Sequence, residues 1–165
     1  MKRTVAAILA IVGITACGGD SGTATTSPSA SGSPASTTPL PGTFPVQHGT
    51  FTFNAVSNSG VTGTAYVTTI STGFTVSVAL NGLGPTGPKH VTELVEGTCA
   101  SPGTLVTALG AVGPDLAGTS FSNTTVNKPY TLAASGWAII VHQGSDLSTD
   151  ANKAVISCAT MGPLS

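Results

Sequence analysis

The side chains best suited to chemistry in this chain are its three histidines, His48, His90 and His142. Imidazole is a common ligand of both copper and zinc. These histidines are therefore the first candidates for metal ligands. The alternative is that His90 and His142 bind no metal and are hydrogen-bonded to backbone or to Asp146.

The carboxylates near these histidines do not predict an acid/base pair. Glu93 and Glu96 are three residues apart, and on a strand an odd separation places two side chains on opposite faces. We therefore expect both to be solvated charges. Asp146 follows His142 by four residues, and we expect it to cap the turn after that histidine by accepting backbone hydrogen bonds. No serine-hydrolase elbow, Cys-x-x-Cys pair, phosphate loop or EF-hand pattern is present in the sequence, and no catalytic residue is assigned.

The N-terminus has the pattern of an export signal. Lys2 and Arg3 precede an apolar run over 4–14, which is too short to span a bilayer stably. The run ends in Ile14-Thr15-Ala16-Cys17, which resembles a bacterial lipobox. Residues 1–16 are thus predicted to be cleaved and Cys17 to carry a lipid, which would anchor the protein to the outer face of the cell membrane. The alternative is an ordinary secretory signal cleaved near Ala16.

A composition change separates a tether from a folded domain. Residues 17–43 are rich in Gly, Ser, Thr, Ala and Pro, which cannot bury a core, so we predict a flexible tether there. Residues 44–165 have the length of one domain.

Charge and cysteine content limit the partners and the compartment. Lys and Arg total 5 and Asp and Glu total 6, and removal of residues 1–16 leaves 3 against 6. A mildly acidic chain has no basic patch to neutralise phosphates, so we expect no nucleic-acid partner. Cys99 and Cys158 remain once Cys17 is lipidated, and in an oxidising compartment they are predicted to pair. Two separate buried thiols are the alternative.

The hydropathy pattern predicts an all-β domain with little helix. Short alternating or apolar runs separated by Gly- and Pro-rich turns are typical of a β-sandwich or Greek-key barrel. We expect residues 110–128 to be irregular, with Phe121 and Val126 as anchors. The predicted strands are 50–56, 61–70, 74–80, 90–95, 104–109, 136–142 and 154–159.

Two segments together resemble the copper/zinc superoxide dismutase family. The first runs from Gly82-Leu83 through His90-Val91-Thr92-Glu93 to Cys99, and the second from Gly136 through Val141-His142 and Asp146 to Cys158. The resemblance spans Phe51 to Met161. It implies an eight-stranded Greek-key β-barrel with Cys99 and Cys158 as its disulfide.

The same resemblance implies a degenerate metal site. His90 falls on the family's first copper-ligand histidine and His142 on the last, whereas Thr92 takes the place of the second. Residues 100–135 contain no histidine, so the bridging histidine and the zinc site are missing. In the family, the residue at the Asp146 position does not bind the metal itself but contacts the metal ligands and connects them.

The resulting expectation is a cell-envelope lipoprotein whose barrel lacks zinc and efficient dismutase activity and serves as a binding or structural module. Its protein partner is unknown. The rival expectation is a zinc-free copper-binding dismutase or copper-handling protein that uses His90 and His142, with water or His48 completing the coordination. Enzymatic activity therefore stays open.

Overall fold

The computed structural model describes residues 44–114 and 118–165, which form a nearly all-β unit with one short helix. The predicted signal, Cys17 and the tether lie outside the described residues. No helix within the described ranges is both long and apolar enough to cross a membrane. The elements are β1 (His48–Ala55), β2 (Thr62–Ile70), β3 (Gly73–Asn81), β4 (His90–Thr98), β5 (Ser101–Val112), β6 (Thr119–Val126), β7 (Trp137–His142), α1 (Asp150–Lys153) and β8 (Val155–Met161).

The eight strands form one antiparallel sheet in the order β5-β4-β7-β8-β1-β2-β3-β6, which curls into a nearly closed barrel. The connections from β3 to β4 and from β6 to β7 join strands that are not neighbours, as in Greek-key folds. The predicted eight-stranded all-β barrel is therefore confirmed.

Strand alternation builds the barrel core. In β3 the predicted apolar face, Phe74, Val76, Val78 and Leu80, is at most 1% exposed. The strand β7 is buried along its whole length, as predicted. One face packs into the barrel core, and Ala138 and Ile140 on the other face cluster with Val95 and Cys158 of the flanking strands.

The prediction of an irregular segment over 110–128 is wrong. β5 continues to Val112, and β6 occupies Thr119–Val126 in register with β3. Val126 is buried, as expected, but Phe121 is 63% exposed and anchors nothing in the core. The reason is strand parity, since Phe121 lies on the face of β6 opposite to Val126.

The predicted disulfide is present between Cys99 and Cys158, whose Cα atoms are 5.7 Å apart. Cys99 lies in the turn between β4 and β5, and Cys158 is 2% exposed on β8. The Cys99 N–H also donates to Thr160 Oγ1 over 3.2 Å. The cross-link therefore ties the β4–β5 hairpin to the last strand.

Candidate functional site

The two histidines singled out by the resemblance meet at one end of the barrel. His90 is the first residue of β4 and His142 the last of β7, and the two strands are antiparallel neighbours with Thr92 opposite Val141. His90 Nδ1 lies 3.0 Å from the main-chain oxygen of His142. Because a carbonyl only accepts, His90 Nδ1 carries the proton and donates. This contact involves the backbone of His142 and leaves its ring to other partners.

The ring of His142 is held between two acceptors. Its Nδ1 lies 2.7 Å from the main-chain oxygen of Lys153, and its Nε2 lies 3.0 Å from Glu93 Oε2. The side chains of His142 and Glu93 are 8% and 15% exposed, so water does not compete freely for the contact. The prediction that Glu93 is a solvated charge is therefore wrong, whereas Glu96 is exposed as expected.

The local structure explains why the Lys153 carbonyl and the Glu93 carboxylate reach the ring of His142. α1 is capped at its start by the Thr149 hydroxyl, which accepts from Asn152 N over 3.2 Å. The last carbonyls of a helix have no partner within it, so the Lys153 oxygen is free to accept from His142. Glu93 lies opposite Ile140 in the β4–β7 register. Ile140 precedes His142 by two residues, so the two side chains lie on the same face of β7. The carboxylate thus reaches the ring diagonally.

The proton count shows that neither ring nitrogen of His142 offers a free lone pair. The Lys153 carbonyl requires a proton on Nδ1. At Nε2, either the ring donates to an ionised Glu93 or a protonated Glu93 donates to the ring, and both arrangements occupy the nitrogen. Metal binding at His142 would therefore require one of these buried hydrogen bonds to break.

The other candidate ligands do not complete a site. His90 lines a small cavity of about 150 Å³ together with Gln143 and the core residue Ile156. Thr92 is fully buried, and its hydroxyl points to the His90 carbonyl at 3.5 Å. His48 lies on β1, where its ring centroid is 6.1 Å from that of Tyr66. Over residues 44–114 and 118–165, no three His, Cys, Asp or Glu side chains are arranged to hold a metal ion.

Asp146 makes its contacts within its own loop. Its Oδ1 accepts from the Ser148 N–H over 2.8 Å, from the Ser148 hydroxyl over 2.5 Å and from Asn152 Nδ2 over 2.9 Å. These hydrogen bonds, those of Ser148 foremost, lower the pKa of Asp146 to about 2. The carboxylate organises the loop that leads into α1, and its bonding partners do not include either histidine.

Copper does not fit this arrangement. A redox copper centre needs several imidazoles with free lone pairs converging on one point. Here both nitrogens of the His142 ring are hydrogen-bonded, and Thr92 offers only a hydroxyl. The Nδ1 donation of His90 leaves its Nε2 lone pair available, but a single imidazole does not make a redox copper site. The sequence pointed to His90 and His142 but missed Glu93 and the Lys153 carbonyl as the partners that fix His142. No sequence signal separates Glu93 from Glu96, because both are acidic residues of a strand that also contains other polar residues.

No protein-family model matches the chain, and no curated protein matches it in sequence.

Proposed function

We propose that this chain is a cell-envelope lipoprotein whose superoxide-dismutase-like barrel has lost its metal centre and serves as a binding or structural module. The observation that carries the proposal is the double occupation of the His142 ring by Lys153 and Glu93. The residue that the resemblance aligns with the last copper ligand is here part of the internal bonding of the barrel.

The architecture supports the relationship to that family. The resemblance predicts eight antiparallel strands in a Greek-key order and a disulfide that joins the turn after the His90 strand to the last strand. The barrel and the Cys99–Cys158 bridge have these features. A fold can host many functions, so the proposal that dismutase activity is lost rests on the site residues and not on the fold.

Copper titration of the purified full chain by calorimetry tests the loss of the metal centre. We expect no tight equimolar binding that depends on His90 and His142, so His90→Ala and His142→Ala should leave the isotherm unchanged. His48→Ala is the matched control, because it removes an imidazole from a different part of the barrel. Tight equimolar binding that is abolished by both substitutions would overturn the proposal and favour a copper protein.

Fractionation of cells tests the proposed location. The parent chain should be recovered in the membrane fraction, and Cys17→Ala should release it or leave it unprocessed, because the lipid is attached through that thiol. Normal membrane retention of the variant would contradict lipid anchoring.

A further inference from the structure

One outer face of the barrel carries no charged side chain. The four strands β1, β2, β3 and β6 contain no Asp, Glu, Lys or Arg. The charged residues of the described ranges lie on β4, on α1 and in loops. Only 7% of the residues in the chain are charged, and the exposed side of these four strands is therefore polar but neutral.

Hydroxyl groups occupy this face in rows across the strands. Cross-strand pairing aligns Thr52 with Thr64, and it aligns His48 with Thr68, Thr75 and Thr125. Successive rows are two residues apart along each strand, on the side opposite to the core. A hydroxyl both donates and accepts hydrogen bonds, so the face offers many neutral polar contacts.

Two aromatic rings stand exposed among these hydroxyls. Tyr66 is 45% exposed and Phe121 is 63% exposed. Phe121 lies opposite Ala79, whose methyl group is too short to cover the ring. On either side of Phe121, Thr119 Oγ1 donates to Asn81 Oδ1 over 3.1 Å and Asn123 Nδ2 donates to Ser77 Oγ over 2.8 Å. The surroundings of the ring are thus held in place before any ligand arrives.

We propose that the outer face of β1, β2, β3 and β6 binds a neutral polysaccharide, with Tyr66 and Phe121 stacking against sugar rings. A sugar has hydroxyl groups around its rim and C–H groups on its faces, which match hydroxyl-bearing and aromatic side chains respectively. The absence of charge selects a neutral polymer over an anionic one.

The separation of the two rings sets the size of the ligand. Tyr66 lies in the same row as Asn123, and Phe121 is two residues from Asn123 on the same strand, with β3 between β2 and β6. With strands about 4.8 Å apart and a rise of about 3.4 Å per residue, the two Cα atoms are about 12 Å apart. One sugar ring cannot contact both aromatic residues, so the ligand is a chain of sugars.

A second copy of the protein fits the face less well. The centre of a protein–protein interface is normally apolar and rich in large side chains. Here the two large apolar side chains are separated by Ser, Thr and Ala, which leaves no continuous apolar patch. This proposal names a ligand for the binding module proposed above. It depends on the proposed extracytoplasmic location only because such polymers lie outside the cytoplasm.

Native gel electrophoresis of the full chain in detergent, through gels that contain a soluble polysaccharide, tests this proposal. The neutral probes are hydroxyethyl cellulose, dextran and mannan, and carboxymethyl cellulose is the anionic counterpart of the first. We expect retardation by at least one neutral probe and less by the anionic counterpart. Tyr66→Ala and Phe121→Ala should each weaken binding about tenfold, the effect of losing one aromatic stack.

Leu105→Ala is the matched control, because Leu105 is 56% exposed but lies on β5, outside the proposed face. Unchanged melting temperatures for all three variants would show that they remain folded.

No retardation by any neutral probe, or equal retardation of parent and aromatic variants, would overturn the proposal. Concentration-dependent dimerisation that Phe121→Ala abolishes, without retardation, would assign the face to a second copy instead. Copper binding at His90 and His142 would overturn the proposed function but leave this inference intact.

Discussion

Glu93 and His142 meet across the β4–β7 strand pair, with the carboxylate Oε2 3.0 Å from the ring Nε2. The contact is largely shielded from water, and the Lys153 carbonyl holds the other side of the ring at 2.7 Å. The position that resembles a copper ligand therefore joins β4, β7 and the end of α1. It acts as an internal connection of the barrel.

A double-mutant cycle should show that the contact between Glu93 and His142 stabilises the fold. We expect Glu93→Ala to lower the free energy of unfolding by about 2 kcal/mol, because a nearly buried ring nitrogen loses its hydrogen-bond partner. Coupling between Glu93→Ala and His142→Ala should be about 1–2 kcal/mol in urea unfolding. Glu96→Ala, at an exposed position of the same strand, should change stability by less than about 0.5 kcal/mol. Additive effects of the two substitutions would contradict the pair.

The disulfide should be a large contributor to stability. Cys99 and Cys158 are 59 residues apart in sequence, and a cross-link of this length stabilises the native state by about 4 kcal/mol in the chain-entropy model. We expect the Cys99→Ser/Cys158→Ser double variant to melt well below the parent, and thermal unfolding monitored by circular dichroism measures the difference. Reduction of the parent should produce a similar decrease. Equal melting temperatures for parent and variant would contradict the stabilising role.

Asp146 should make stability depend on acidity. Its folded-state pKa is about 2 against an ordinary value of 3.8, so its contribution is present above about pH 4 and is lost as the pH falls towards 2. Asp146→Asn should be less stable than the parent at neutral pH, and the difference should shrink over this window. Urea unfolding at a series of pH values measures it. A difference that stays constant between pH 4 and 2 would contradict the assignment.

Tyr130 should show the opposite dependence at alkaline pH. Burial raises its pKa from 10.0 to about 12, and its hydroxyl donates to the Gly162 carbonyl over 2.6 Å. A raised pKa adds stability that is complete below pH 10 and is lost as the pH rises towards 12. Tyr130→Phe should therefore lose less stability than the parent over that range. Equal alkaline losses in unfolding experiments would contradict this role.

The parts of the fold that the sequence predicted are those where apolar periodicity is strong. β3 and β7 were predicted within one residue of their observed bounds, because Phe74 to Leu80 alternates and the β7 run is apolar throughout. β6 was missed because its core-facing positions include Ser120 and Ser122, whereas its one aromatic residue, Phe121, faces solvent. A half-buried strand is identified by apolar residues on its inner face and polar residues on its outer face, and β6 has the reverse pattern at these positions.

The candidate site was predicted only in part, because contacts between distant residues decide it. Residue spacing correctly placed Glu93 and Glu96 on different faces of β4 but gave no reason for their different exposure. That difference depends on β7 packing beside β4, which brings His142 to Glu93 across 49 positions of sequence. The role of the Lys153 carbonyl depends likewise on where α1 ends.

Histidine-selective nitrogen NMR of the full chain, recorded before and after addition of equimolar copper, tests the central claim most directly. Both ring nitrogens of His142 are engaged, so its signals should keep their intensity, while any weak surface binding broadens other signals. Assignment by His142→Gln identifies the resonances. Selective broadening of the His90 and His142 ring signals at equimolar copper would place the ion beside both rings, and would contradict the loss of the metal centre.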